Sequence, residues 1–312
     1  SGSASVSVDN SDPVVASVAI SPSSGVTTSS TLTCSASATD ADGGSPTLSY
    51  EWTNGSSTMG TSSSLTLTSS TASPSDSITC TVIATDSDGG TDSGYDTVSV
   101  DNTAPVVSAV SLSPSSGVTT NTPLTCSATA IDPDGGSPTI VYSWTNGSSA
   151  MGTGPSVALN STLASPSDTI TCTATATDSD GATDWGASSV SVENSAPTFS
   201  VGAMITPSSG VTTSSTLACS ATASDVDGGT PTLSYVWSNS SSTIGSGSNI
   251  TLSSSTASPS DTITCTVMAT DSDGASVVST DSVSVDNTDP AVASVSISPS
   301  SGVMESSTLT CS

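Results

Sequence analysis

The stretch Leu32-Thr33-Cys34-Ser35-Ala36-Ser37-Ala38-Thr39-Asp40-Ala41-Asp42-Gly43-Gly44 decides the fold. Its apolar residues occupy alternate positions up to Ala38, and this period of two predicts a half-buried β-strand. The acidic D-x-D-G motif that follows is turn chemistry, because Asp side chains stabilise turns and Gly adopts positive φ. Near copies of the stretch lie at 124–136 and 217–229, and closely related segments at 78–90, 170–181 and 263–274.

The chain is a tandem repeat with a period of 92 to 93 residues, measured between Cys34, Cys126, Cys219 and Cys311. A proline-containing linker such as Val100-Asp101-Asn102-Thr103-Ala104-Pro105 separates the copies. We expect the tail of a preceding repeat at 1–10, complete repeats at 11–102, 103–194 and 195–287, and the head of a following repeat at 288–312. The chain is therefore expected to be a window on a longer array, with the partner of Cys311 beyond its end.

Strands of the first repeat are predicted at 14–20, 31–38, 48–52, 64–68, 77–85 and 96–100, with a further short strand at 57–60. Ser-Pro-Ser-Ser-Gly at 21–25, Asn54-Gly55 and Ser-Pro-Ser-Asp at 73–76 supply the turns between them. Short strands at such regular spacing predict an antiparallel β-sandwich. A mucin-like disordered stalk is the alternative, since aromatic residues make up only 3% of the chain. The cysteine and tryptophan that recur in register argue against it.

The composition excludes several classes of function. The chain has 27 acids, no Lys, Arg or His, and a formal net charge of −27. It therefore has no catalytic His, no Schiff-base Lys and no cation to neutralise phosphates, so nucleic acid is excluded as a partner. Paired carboxylates are typical of glycosidases. Here, however, the pairs recur in every repeat, whereas a catalytic site is normally single, so we predict no enzyme.

Seven cysteines recur about 46 residues apart and never as C-x-x-C pairs. This spacing favours disulfides over zinc ligation and predicts an oxidising, extracellular setting. The sequence contains no run of 18 apolar residues, so we predict that this segment does not span a membrane.

A tryptophan follows the first cysteine of each repeat by 18 positions and precedes the second by 28, as in Cys34, Trp52 and Cys80. This resembles the immunoglobulin-like sandwich of large bacterial surface proteins, in which a disulfide joins strands B and F and a strand C tryptophan packs on it. The resemblance implies all-β, tandem Ig-like antiparallel β-sandwich domains with one intra-domain disulfide each. The implied bridges are Cys34–Cys80, Cys126–Cys172 and Cys219–Cys265.

Two details qualify this resemblance. The even spacing also permits Cys80–Cys126 pairing across a linker, but the tryptophan follows only the first cysteine of each implied pair. The tyrosine-corner position, two before the second cysteine, holds isoleucine in every repeat, so the repeats are Ig-like and not true immunoglobulin domains.

The acidic turns and linkers also resemble cadherin repeats, whose equivalent segments bind calcium between domains. The Asp-Asn and the proline of the cadherin linker are kept, whereas its upstream Asp and the glutamate motifs are missing. The Ig-like topology would bring two D-x-D-G loops beside the preceding linker, and hard oxygen ligands without any cationic side chain suit Ca²⁺. Plain turn formation by the same residues is the alternative. The expected ligands are Asp9, Asn10, Asp40, Asp42, Asp86, Asp88, Asp101, Asn102, Asp132, Asp134, Asp178, Asp180, Glu193, Asn194, Asp225, Asp227, Asp271 and Asp273.

Further candidate sites lie on the surface. N-x-S/T sequons permit glycosylation at Asn54, Asn146, Asn160, Asn239 and Asn249. Trp185 has no counterpart in the other repeats. It is either a stacking platform for sugar or an aromatic that packs on its own sheet, and we expect the second.

These observations predict an extracellular structural array that forms a rod, stalk or filament component. Its expected partners are the neighbouring repeats and other copies of the chain in a fibre. The alternative is the spacer region of a surface adhesin that binds a glycan or protein ligand through another part of the chain. The near identity of the repeats, without a distinctive loop in any of them, favours a spacer role for this segment over a ligand-binding tip.

Overall fold

The computed structural model describes residues 2–312, which contain β-strands and no helix. The chain divides into two compact units, one ending at Val192 and the other beginning at Glu193. The first unit holds two β-sandwiches, and the second holds one sandwich followed by a short hairpin. The predicted repeat boundary at 102 lies inside the first unit, and the exact domain boundaries stay a prediction.

The first sandwich has seven strands in two antiparallel sheets. The three-stranded sheet has the order β1-β2-β5 and the four-stranded sheet the order β4-β3-β6-β7. The strands are β1 (Val14–Ser21), β2 (Thr31–Thr39), β3 (Thr47–Asn54), β4 (Ser57–Gly60), β5 (Ser64–Thr66), β6 (Ser77–Thr85) and β7 (Thr91–Ser99).

The second and third sandwiches repeat this arrangement. The second sandwich has sheets β8-β9-β12 and β11-β10-β13-β14, and the third has β15-β16-β19 and β18-β17-β20-β21. The strands of the second are β8 (Val106–Ser113), β9 (Pro123–Ile131), β10 (Thr139–Asn146), β11 (Ser149–Thr153), β12 (Ser156–Ala158), β13 (Thr169–Thr177) and β14 (Thr183–Ser191). Those of the third are β15 (Thr198–Thr206), β16 (Thr216–Ser224), β17 (Thr232–Ser238), β18 (Thr243–Ser246), β19 (Asn249–Thr251), β20 (Thr262–Thr270) and β21 (Ser276–Ser284). A hairpin of β22 (Ile297–Ser298) and β23 (Thr310–Cys311) follows, with an exposed free thiol at Cys311.

The cores are built from the alternate apolar positions of the facing sheets. In the first sandwich Leu32, Cys34, Ile78 and Cys80 are buried around Trp52, which is fully shielded from solvent. Bridges join Cys34–Cys80, Cys126–Cys172 and Cys219–Cys265, which confirms the predicted Ig-like sandwich with one disulfide per domain. Each disulfide shares its core with the tryptophan of the same repeat.

The strand prediction was wrong at the start of β7, which begins at Thr91 and not at 96. Asp92, Gly94 and Asp96 disfavour a strand by propensity. The two carboxylates instead accept hydrogen bonds from the edge of the opposite sheet, from Val15 N and Ile20 N at 2.8 Å each. Tertiary contacts therefore extend the strand where local propensity would end it.

We call this contact between the β1 and β7 edges the carboxylate seam. Gly94 lets the edges approach, since an added Cβ would lie 2.9 Å from a methyl group of Val15. The same seam recurs in the other sandwiches, where Asp184 accepts Val107 N at 2.8 Å and Asp281 accepts Ile205 N at 2.7 Å. Strand parity alone did not reveal these residues.

Candidate functional site

The predicted meeting of linkers and acidic loops occurs at the start of each sandwich. The linker asparagine donates its side-chain N–H to the first aspartate of the loop between the last two strands. The distance from Nδ2 to Oδ2 is 3.0 Å in all three copies, Asn10–Asp86, Asn102–Asp178 and Asn194–Asp271. The linker is thereby tied to the domain that it precedes.

A second hydrogen bond joins the linker to the other acidic loop. The backbone N–H of the residue after the asparagine donates to the second aspartate of the loop between the second and third strands of the sandwich. The three pairs are Ser11–Asp42, Thr103–Asp134 and Ser195–Asp227, each at 2.5 Å. Two loops distant in sequence thus hold one linker.

Other carboxylate oxygens of these loops fold the loops themselves. Asp86 Oδ1 accepts the N–H groups of Asp88 and Gly90, at 2.9 and 2.8 Å. Asp40 Oδ1 likewise accepts Asp42 N at 2.9 Å. Asp132, Asp178, Asp225 and Asp271 make the equivalent turn contacts. The D-x-D-G motif therefore works as a side-chain-stabilised turn, as the alternative interpretation predicted.

Within the first unit, Asp134 also joins two successive sandwiches. Its Oδ1 accepts a hydrogen bond from Thr28 Oγ1 of the preceding repeat at 2.6 Å, while its Oδ2 holds Thr103 N. Both side chains are buried, with exposed fractions of 9% for Asp134 and 2% for Thr28. Thr28 carries no motif, so the sequence did not identify it. A buried carboxylate that accepts hydrogen bonds from both repeats gives this junction a defined geometry.

The linker asparagines also shift the acidity of the loop aspartates. The pKa values of Asp86, Asp178 and Asp271 are lowered, first by the hydrogen bond from the asparagine and further by backbone N–H donors of the loop. Partial desolvation opposes the shift. The charged form is thus favoured in the folded state.

These shifts predict acid-labile linkers. Because the folded pKa lies below the ordinary value of 3.8, the stabilisation is complete above that value and is lost as the pH falls through the lowered pKa. We expect Asn102→Ala to raise the pKa of Asp178, since it removes the largest cause of the shift. Carboxyl carbon NMR titration measures this, and Asp86 and Asp271 serve as unaltered controls. An unchanged Asp178 titration would contradict the assignment.

The predicted calcium ligands lie close together without forming a metal cage. Asp9, Asn10, Asp42 and Asp88 line one shallow cavity, and Asp132, Asp134 and Asp180 line another. Within residues 2–312, however, no group of three or more Asp, Glu, Cys or His side chains is arranged to hold a metal ion. Several of the required oxygens already accept N–H groups. The donor set as it lies does not fit a preformed Ca²⁺ site, which needs six to eight oxygens.

The sequon asparagines fall into two groups. Asn54 and Asn146 donate both to a nearby aspartate, at 2.6 Å, and to a backbone carbonyl, so a glycan there would displace a hydrogen bond. Asn239 similarly donates to Thr256 O at 3.0 Å. Asn160 and Asn249 are exposed. These two positions are sterically the most open to modification, and glycosylation stays a prediction.

Comparisons with known proteins bear on the fold alone. No family model matches the chain, and no curated protein does. Similar solved structures include immunoglobulin domains 1–5 of Sidekick-1, at 17% identity over 90% of this chain and a TM-score of 0.35. The chain spans 60% of the length of that structure.

Two bacterial proteins are similar at the same level. One is a 1.5-MDa ice-binding adhesin, at 16% identity over 89% of this chain and 99% of that chain, with a TM-score of 0.36. The other is a Ca²⁺-stabilised adhesin with which an Antarctic bacterium binds ice, at 15% identity, 89% and 74% coverage and a TM-score of 0.32. The assignment of tandem Ig-like sandwiches rests on the strand order, disulfides and tryptophans of this chain itself.

The described residues include no helix long and apolar enough to cross a membrane.

Proposed function

We propose that the chain is part of an extracellular structural array in which tandem Ig-like sandwiches act as a spacer. The repeated attachment of each linker to the two acidic loops of the following sandwich carries this proposal. Such contacts hold each linker on the following sandwich, while each sandwich is closed by its own disulfide. Disulfides form and persist in oxidising surroundings, which supports a cell-surface or extracellular location.

Side-by-side association of copies in a fibre is a second part of the proposal. Hydroxyl groups alternate along the outer face of the three-stranded sheet, as at Thr31, Thr33 and Ser35 on β2. Hydroxyls both donate and accept, so such a face is self-complementary. The charge of −27 opposes association until salt or divalent cations screen it.

Calcium at the junctions is the third part, supported by one atom in particular. Asp225 Oδ2 is buried and has no hydrogen-bond partner, although its charge needs compensation. The chain has no cationic side chain to provide it. A Ca²⁺ ion recruited there would require the neighbouring carboxylates to exchange some N–H partners for the metal.

Small-angle scattering of the whole chain tests these parts together. Three extended repeats of roughly 35–45 Å each should give a maximum dimension above about 100 Å. A compact 312-residue particle would have a radius of gyration near 20 Å, and that result would contradict the spacer. Measurements with about 1 mM Ca²⁺ and then with chelator test the metal. If neither the maximum dimension nor the melting temperature changes, hydrogen bonds alone hold the junctions. Side-by-side association is tested separately, by a concentration series in salt.

A further inference from the structure

The outer face of the four-stranded sheet in the second sandwich carries an exposed aromatic side chain. Trp185 on β14 is 66% exposed and lies on the outer face of its sheet. Thr175 lies opposite it on β13, and Val141, 58% exposed, lies opposite Thr175 on β10. The three side chains form a row across the sheet.

The rest of this surface is uncharged and rich in hydroxyl groups. Threonine occupies every outward position of β13, at Thr169, Thr171, Thr173, Thr175 and Thr177. The outward residues of β10 and β14 are Thr, Ser, Val, Ala or Trp, with no acid among them. Asp184 turns instead to the carboxylate seam. We call these outward positions of β10, β13 and β14 the Trp185 face.

We propose that the Trp185 face binds a neutral, extended polysaccharide of the β-1,4-linked class. The negative π-face of an indole attracts the polarised C–H groups on the flat side of a pyranose ring. Threonine and serine hydroxyls beside it can donate to and accept from sugar hydroxyls. A three-stranded surface of eight- and nine-residue strands is broad and extended, which suits a ribbon-like chain.

Charge selects this ligand over the alternatives. The chain has a charge of −27 and no cationic side chain, so an anionic polysaccharide would be repelled. A second copy of the chain carries the same charge, so its association here, as at the three-stranded sheet, would require salt or divalent cations to screen the charge. A neutral polysaccharide meets no such repulsion, and the acid-free face avoids burying a carboxylate against it.

Fluorescence quenching isolates the site, because Trp185 is the exposed tryptophan among four. Trp52, Trp144 and Trp237 are at most 1% exposed. We expect acrylamide to quench Trp185 in the whole chain, and cellohexaose or chitohexaose to protect it. Trp185→Ser places at this position the residue that the first repeat carries there, Ser93. The variant should fold and should lose both the quenchable signal and its protection.

Binding to insoluble cellulose and chitin at low ionic strength gives the second readout. Trp185→Ser should bind about tenfold more weakly or worse, and Trp185→Tyr should recover part of the affinity. Polygalacturonate should not bind. If the folded wild-type chain binds neither polysaccharide and neither oligosaccharide protects Trp185, or if Trp185→Ser binds as tightly, the proposal is overturned. Self-association that depends on Trp185, without polysaccharide binding, would likewise overturn it and assign the face to a second copy.

Discussion

Removal of the Cys126–Cys172 disulfide is expected to destabilise the second sandwich by about 4 kcal/mol, the chain-entropy value for a loop of this length. The loss would be a large share of the 5–15 kcal/mol typical of a domain. The buried residues of this sandwich include Ala164, Ala174 and Ala176, and the whole chain contains a single Phe. Trp144 and the bridge belong to one buried cluster, whose other members are aliphatic.

Hydrogen exchange of the double variant Cys126→Ala, Cys172→Ala measures the effect. Amides of β13 should exchange roughly a thousandfold faster, the rate equivalent of about 4 kcal/mol. The matching strands β6 and β20 keep their own disulfides and serve as internal controls. Pepsin fragments are suitable, since the chain has no Lys or Arg for trypsin. Native protection of β13 in the variant would show that the bridge is dispensable.

Asp134→Ala is expected to open the junction between the first two repeats. The change removes the acceptor of Thr103 N and of Thr28 Oγ1 and leaves a backbone N–H without its partner. A hydrogen bond to a charged group contributes about 2 kcal/mol, so the Thr103 amide should exchange about thirtyfold faster. The amides of Ser11 and Ser195 bond to Asp42 and Asp227 and should not change.

Asp134→Asn distinguishes a junction held by hydrogen bonds from one held by a bound metal ion. Asparagine can accept Thr103 N through Oδ1 and donate Nδ2 to Thr28 Oγ1. The threonine hydroxyl can then turn to Pro133 O, which lies 3.4 Å away. A hydrogen bond to a neutral group contributes about 1 kcal/mol, so we expect exchange at Thr103 only about fivefold faster than native, whereas a calcium-dependent junction would weaken further with the lost charge. Exchange as fast as in the alanine variant would favour the metal.

Most of the fold was predictable because local signals and tertiary contacts agree. The alternation of apolar residues and the flanking turns predicted both ends of β6, and the resemblance to the immunoglobulin-like sandwich implied the core that forms around Trp52. At Asp92 and Asp96 the local and tertiary preferences oppose each other, and the prediction placed the start of β7 too late there. Strand propensity describes each residue in isolation, whereas these carboxylates accept hydrogen bonds from a strand about 76 positions away.

The junction was predictable in position but not in its bonding. Topology placed the linker beside two acidic loops, and Asn10 does lie against Asp86 and Ser11 against Asp42. An Asp-rich motif cannot distinguish oxygens that bind a metal from oxygens that accept N–H groups. Thr28 was missed for a related reason, because a threonine in a Thr/Ser-rich loop has no signal until its partner Asp134 is known.

The carboxylate seam also affects how such an array avoids misfolding. Neighbouring repeats with nearly the same sequence can exchange strands or join edge to edge, and an open edge offers unpaired N–H groups to either error. In the first sandwich Asp92 and Asp96 already occupy the N–H groups of Val15 and Ile20 along β1. A foreign strand arriving there would face two carboxylates and no free donor at those positions. The aspartates that interrupt the strand pattern therefore protect this edge of β1 from pairing with a strand of a neighbouring repeat.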